Sequence, residues 1–164
     1  MFRELHLKHL IAILKLAAVC VLATSATIAV AAQGSSGDEL LGDAERIFQQ
    51  FDSNHYADAW QDAAPFVKAK IPQDQFVSET SQSRQALGAI TRRSWASITR
   101  IQYIGSAALP DGLYANVDYA SVLASGRTVF ELLSFQLGTD GHWHLTGYVP
   151  RQTQGTTAEH AAKP

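Results

Sequence analysis

The chain has 164 residues, 46% of them apolar and 17% charged, with a formal net charge of −2. These values exclude a disordered chain and leave room for one domain with a core of its own. A mildly acidic balance also excludes nucleic acid as the expected partner, since that role calls for a basic face.

Residues 1–31 read as an export signal. Arg3, Lys8 and Lys15 make a basic leader, Leu16 to Val30 is uncharged and rich in Ala, Val and Thr, and Ala29-Val30-Ala31 offers small residues on either side of a spacer, as signal peptidases require. The mature chain would start near Ala32 and be periplasmic or secreted, with no membrane contact after cleavage. The alternative is an uncleaved anchor in the inner membrane, because apolar residues begin at Leu10; Lys15 interrupts that run, and Thr24, Ser25 and Thr27 dilute it. The only cysteine, Cys20, lies inside this segment and its neighbours fit a lipoprotein box poorly, so a mature chain would have neither disulfide nor thiolate. Loss of Arg3, Lys8, Lys15 and Glu4 would leave a net charge near −4.

After a linker at 32–37, a single domain is expected over 38–151. From Asp38 to Phe51, the residues Leu40, Leu41, Ala44, Ile47, Phe48 and Phe51 recur at three- and four-residue steps and predict a first helix. Asp52-Ser53-Asn54 breaks it with capping chemistry. Tyr56, Ala59, Trp60, Ala63 and Val67 draw a second, shorter helix, interrupted at Pro65. Pro72 suits the first turn of a third, along which Phe76, Thr80, Ser83, Arg84 and Leu87 share a side until Gly88 ends it. Seven acids and one base, Arg46, lie between Asp38 and Asp62, while Arg84, Arg92, Arg93 and Arg100 make a basic middle; solvated faces account for both.

Beyond Gly88 the period changes to that of strands. Segments 93–104, 112–123, 127–137 and 142–149 are rich in β-branched and aromatic residues and are separated by Leu109-Pro110-Asp111-Gly112, Ala124-Ser125-Gly126 and Thr139-Asp140-Gly141. Three helices followed by a meander predict an α+β fold, with the helices packed on one face of a curved four-stranded antiparallel sheet. Residues 152–164 have little apolar content and read as a flexible tail.

Three-residue hairpin loops then set a register. Gln136 faces His144, Phe135 faces Leu145, Ser134 faces Thr146 and Glu131 faces Val149; across the preceding hairpin Tyr119 faces Glu131, Ser121 faces Val129 and Val117 faces Leu133. Trp143 and Leu145 fall on the core side, and His142, His144, Thr146 and Tyr148 on the other. His142 and His144 thus share a face, a weak metal alternative, since Gln136 and Ser134 are poor further ligands. Glu131 falls on the core side, where an ionised carboxylate needs a partner, and Arg84 is the natural one. Arg84, Tyr119, Glu131 and Trp143 are therefore the candidate ligand-binding residues, in a pocket between sheet and helices, with a purely structural ion pair as the competing role. Outward-facing Phe130, Leu132 and Tyr148 would form a homodimer face.

The ordered set Tyr56-Ala57-Asp58-Ala59-Trp60, Arg84-Gln85-Ala86-Leu87-Gly88, Arg92-Arg93, Leu109-Pro110-Asp111-Gly112-Leu113-Tyr114, Glu131 and Asp140-Gly141-His142-Trp143-His144-Leu145-Thr146-Gly147-Tyr148 resembles the bacterial domain of unknown function 4019, from about Ala44 to Arg151. The resemblance implies an exported or envelope protein with the cone of nuclear-transport-factor-2-like or cystatin-like folds, and supplies no catalytic residues. The family tends to have Arg where this chain has His144, which weakens the metal alternative. No cofactor motif is present. The expected function is a non-catalytic, exported domain that binds a small ligand or an envelope protein. The alternative is an isomerase- or dehydratase-type enzyme in the same cone, an analogy of fold alone, which needs Glu131 unpaired.

Overall fold

A computed structural model describes residues 36–154. The export signal, most of the linker and the tail beyond residue 154 lie outside the described residues. No described helix is long and apolar enough to cross a membrane.

Helix α1, Gly37–Asp52, starts where the Ser36 side chain accepts a hydrogen bond from the Glu39 backbone N–H at 3.0 Å, and it buries Leu40, Ala44, Ile47, Phe48 and Phe51, the stripe read from the sequence. The expected second helix is two: α2, Tyr56–Gln61, and α3, Pro65–Lys70. Pro65 lacks a backbone N–H, so it opens a new helix rather than continuing the old one. The described residues therefore hold four helices, not three. The chain between the two short ones, Asp62 to Ala64, lies along the sheet: Ala64 N–H donates to the Leu145 carbonyl at 2.8 Å and Leu145 N–H to the Asp62 carbonyl at 3.0 Å. Helix α4, Gln73–Leu87, follows Pro72 and stops at Gly88, whose φ of 88° and ψ of −175° favour glycine.

Strands β1 (Ile90–Tyr103), β2 (Gly112–Leu123), β3 (Thr128–Leu137) and β4 (Trp143–Arg151) form an antiparallel sheet in the order β1-β2-β3-β4. The fold is α+β. Between α1, α2 and the inward sheet face lies the core of Phe48, Phe51, Tyr56, Val117, Leu133, Phe135, Trp143 and Leu145.

The β2–β3 register is the expected one: Tyr119 opposite Glu131, Ser121 opposite Val129, Val117 opposite Leu133. Between β3 and β4 the expected pairs hold for Gln136 with His144 and Phe135 with Leu145, then fail. Ser134 pairs with Gly147 and Glu131 with Pro150, because the ladder shifts after Phe135 and leaves Thr146 as an extra residue. One inserted residue flips every later side chain. Tyr148 consequently points inward, its ring 5.0 Å from that of Phe51. Leu132 is opposite Val149, not Tyr148, so the expected homodimer face of Phe130, Leu132 and Tyr148 is not assembled.

Candidate functional site

Alternation along β3 turns Glu131 inward between Val129 and Leu133, and its exposure is 0%. Burial of an ionised carboxylate is tolerated only with partners, and the fold brings four. Arg84, in the last turn of α4, donates from Nη1 to Oε1 at 2.5 Å. Tyr148, turned in by the bulge, donates its hydroxyl to the same oxygen at 2.7 Å and accepts a longer bond from Arg84 at 3.4 Å. Oε2 receives Arg93 Nε from β1 at 2.8 Å and the Ser121 hydroxyl from β2. All four strands and one helix supply the cluster if Glu131 itself is counted.

A second carboxylate closes the arrangement from outside. Asp52, the last residue of α1, accepts from Arg84 Nη2, and from Arg93 Nη1 at 2.8 Å and Nη2 at 3.1 Å. The two guanidiniums thus lie between an enclosed carboxylate and one whose side chain is 46% exposed, with side-chain exposures of 10% for Arg84 and 14% for Arg93. The formal charges cancel. Burial works against the Arg93 charge, but the hydrogen bonds and field of Asp52 and Glu131 outweigh it and raise its pKa above the ordinary value. The same guanidinium lies 4.0 Å from the centre of the Phe48 ring. Burial, then the charge of Glu131, raises the Tyr148 phenol well above its usual range.

An ionised carboxylate has about four acceptor sites. Glu131 uses all of them on Arg84, Tyr148, Arg93 and Ser121. It has no remaining lone pair with which to take a proton from a substrate, and no exposed surface through which a substrate would reach it. The chemistry of this arrangement is cohesion: one charged centre ties α1, α4 and the sheet together.

The other two candidates stand apart. Tyr119 is opposite Glu131 but is not bonded to it; its ring meets Phe48 edge to face at 4.9 Å, and its buried hydroxyl has no hydrogen-bond partner among the described residues. Burial, followed by the nearby Glu45 charge, pushes its pKa up to about 12, with Arg93 acting in the opposite sense. Trp143 is buried at the start of β4, its ring nitrogen also unbonded, and borders a cleft of about 400 Å³ with Glu39, Asp43, Arg46 and His142. Arg84 borders a different cleft of about 400 Å³, with Asp52, Asn54, Gln85 and Ile90. Arg84 and Trp143 thus line separate clefts, and neither of these two clefts is lined by Tyr119 or Glu131. Next to the cluster, Phe48 is in ring contact with Phe51, Tyr119 and Tyr148, and Phe51 with Tyr148.

His144 Nε2 lies 3.0 Å from Asp140 Oδ2, an ion pair when the ring is protonated. The His142 backbone N–H, rather than its ring, caps the same carboxylate and is the first cause of its lowered pKa. Among the described residues no group of three or more His, Cys, Asp or Glu side chains converges as a metal would need.

Arg93 and Asp52 were missed by the sequence reading. Arg93 carried a usable signal, since a strand paired antiparallel with β2 can set it opposite Ser121, in the inward row of Tyr119; Asp52 carried none beyond its place at a helix end.

An α+β domain pinned by an enclosed, charge-balanced cluster is the class that fold and site define. The chain belongs to the family described as protein of unknown function (DUF4019), which it matches over residues 43–148. No curated protein and no solved structure matches the chain.

Proposed function

We propose that the protein is an exported, non-catalytic domain that acts by binding, holding an envelope protein or a small ligand at its surface. The observation that carries this reading is the saturation of Glu131. The inward carboxylate an enzyme would need is fully engaged by Arg84, Arg93, Tyr148 and Ser121, and aromatic rings fill the space beside it. Export rests on the basic, then apolar, then small-residue order of residues 1–31.

The test is fractionation of cells that make the protein, followed by native mass spectrometry of the gently recovered chain. A mature N-terminus near Ala32 in the periplasmic fraction, with mass added to a whole number of chains, supports the reading. An unprocessed chain in the cytoplasm, or a bare monomer throughout, counts against it.

A further inference from the structure

The two edges of the sheet are treated differently. Along β4, the Asp62–Ala64 segment bonds to Leu145 in both directions and covers that edge at this one point. Strand β1, the other edge, pairs only with β2 over its 14 residues. An uncovered edge presents unpaired N–H and C=O groups, the template for adding a strand. The side chains there are distinctive. From Ile90 to Tyr103 the sequence ITRRSWASITRIQY carries three arginines and no acid. Arg93 is consumed by Glu131 and Asp52, but Arg92 and Arg100 are exposed and make no ion pair among the described residues; Arg100 meets only the Trp143 ring, at 6.0 Å. Between them Trp95 is 58% exposed. Tryptophan and arginine are the residues that most often anchor a partner.

We infer that the outer edge of β1 docks an extended, acidic segment of a partner protein as a fifth strand, with Trp95 as its apolar anchor and Arg92 and Arg100 as its charge contacts. This rests on the binding reading above and names the partner's chemistry. Charge selects the occupant. Antiparallel pairing of β1 with a second copy about the strand's midpoint brings together two strands that each carry three arginines and no acid, with Arg93 of one chain opposite Arg100 of the other, which repels. An acidic segment converts that repulsion into attraction along roughly 25 Å of strand. The shifts in the β1–β2 ladder between Ile90 and Arg92 and between Trp95 and Ser97 give the edge local twist, which further disfavours flat self-pairing.

The experiment places the photoreactive amino acid p-benzoylphenylalanine at Trp95 in the full chain, expressed in its native host, with the same group at Val149 on the outer sheet face as control. Crosslinked peptides are mapped by mass spectrometry. The expected result is a crosslink from position 95 to an acidic segment of a different protein, absent from position 149. It should be lost when Arg92→Glu and Arg100→Glu are combined, and retained when both are changed to Lys, with circular dichroism establishing that each variant folds. A crosslink to a second copy, a mapped segment without acids, indifference to charge reversal, or no product beyond the Val149 control each overturns the inference. If native mass spectrometry still finds an added component in that last case, binding stands and only the β1 edge falls.

Discussion

Removal of Arg84 offers the sharpest perturbation of the cluster. Taking one partner from a buried ion pair costs about 3 to 5 kcal/mol, because the remaining charge is left in a low-dielectric site. Here Glu131, at 0% exposure, would keep Arg93, Tyr148 and Ser121, so Arg84→Ala belongs at the lower end, about 3 kcal/mol. For a domain of this size that is a fall in Tm of about 10 °C. Arg93→Ala should cost a similar amount, since it too bridges Glu131 and Asp52, with an added loss from its contact with Phe48. The two should not be independent. With both guanidiniums gone only two hydroxyls face the carboxylate, so the double variant should exceed the sum of the singles by about 1 kcal/mol or more. Thermal unfolding followed by circular dichroism at neutral pH gives all four corners of the cycle. A change in Tm below about 2 °C for Arg84→Ala, or strict additivity of the pair, would refute the shared, buried carboxylate.

Tyr119→Phe should stabilise the fold by about 1 kcal/mol, since it deletes a buried hydroxyl that has no partner among the described residues; a loss of stability in urea unfolding would mean that the hydroxyl is engaged. The same phenol gives a pH dependence: its folded pKa is raised to about 12, against roughly 10 unfolded, so its proton is held longer in the fold. Its contribution is complete below about pH 10 and is lost as pH rises towards 12, and urea midpoints on either side of that window should fall less in Tyr119→Phe than in the parent chain. Gly88→Ala should cost about 1 to 3 kcal/mol through backbone strain alone, because φ is 88° and nothing lies within 4 Å of the added carbon; Tm is the readout. Phe130→Asp should leave the oligomeric state unchanged in sedimentation equilibrium, since Tyr148 is turned inward and Asp118 and Arg151 place an ion pair at 2.6 Å on that face.

The parts of the fold written in local chemistry were legible. The first and last helices, the four strands and the β2–β3 register follow from periodicity and from turn residues whose backbone needs are local. The enclosed carboxylate was legible for the same reason, since alternation along β3 left Glu131 on an apolar row. What escaped depended on single residues acting at a distance. Pro65 split one helix into two and freed Asp62 to Ala64 to cover β4. The bulge at Thr146 reversed the face of every residue after it, and the glycine beside it, Gly147, was the only local hint, as an interior strand glycine often marks a bulge.

That single reversal decides how the cluster should be interpreted. With Tyr148 outward, Glu131 would have an open acceptor site, Arg84 would be its main partner, and a cone with a reactive carboxylate would remain plausible chemistry. With Tyr148 inward, a phenol fills the fourth site, an aromatic ring packs on Phe51, and the apolar outer patch loses its third member. One inserted residue in β4 thus fills the fourth acceptor site of Glu131 and takes Tyr148 out of the outer sheet face. The binding proposed above would fall to surfaces the cluster does not reach; among the described residues β1 pairs with β2 alone, whereas β4 also meets Ala63 at Leu145. The charge-balanced pin and the basic edge differ in this sense: Glu131 and Asp52 neutralise Arg93 and Arg84, while Arg92, next to Arg93 in sequence but on the opposite side of the strand, makes no ion pair among the described residues.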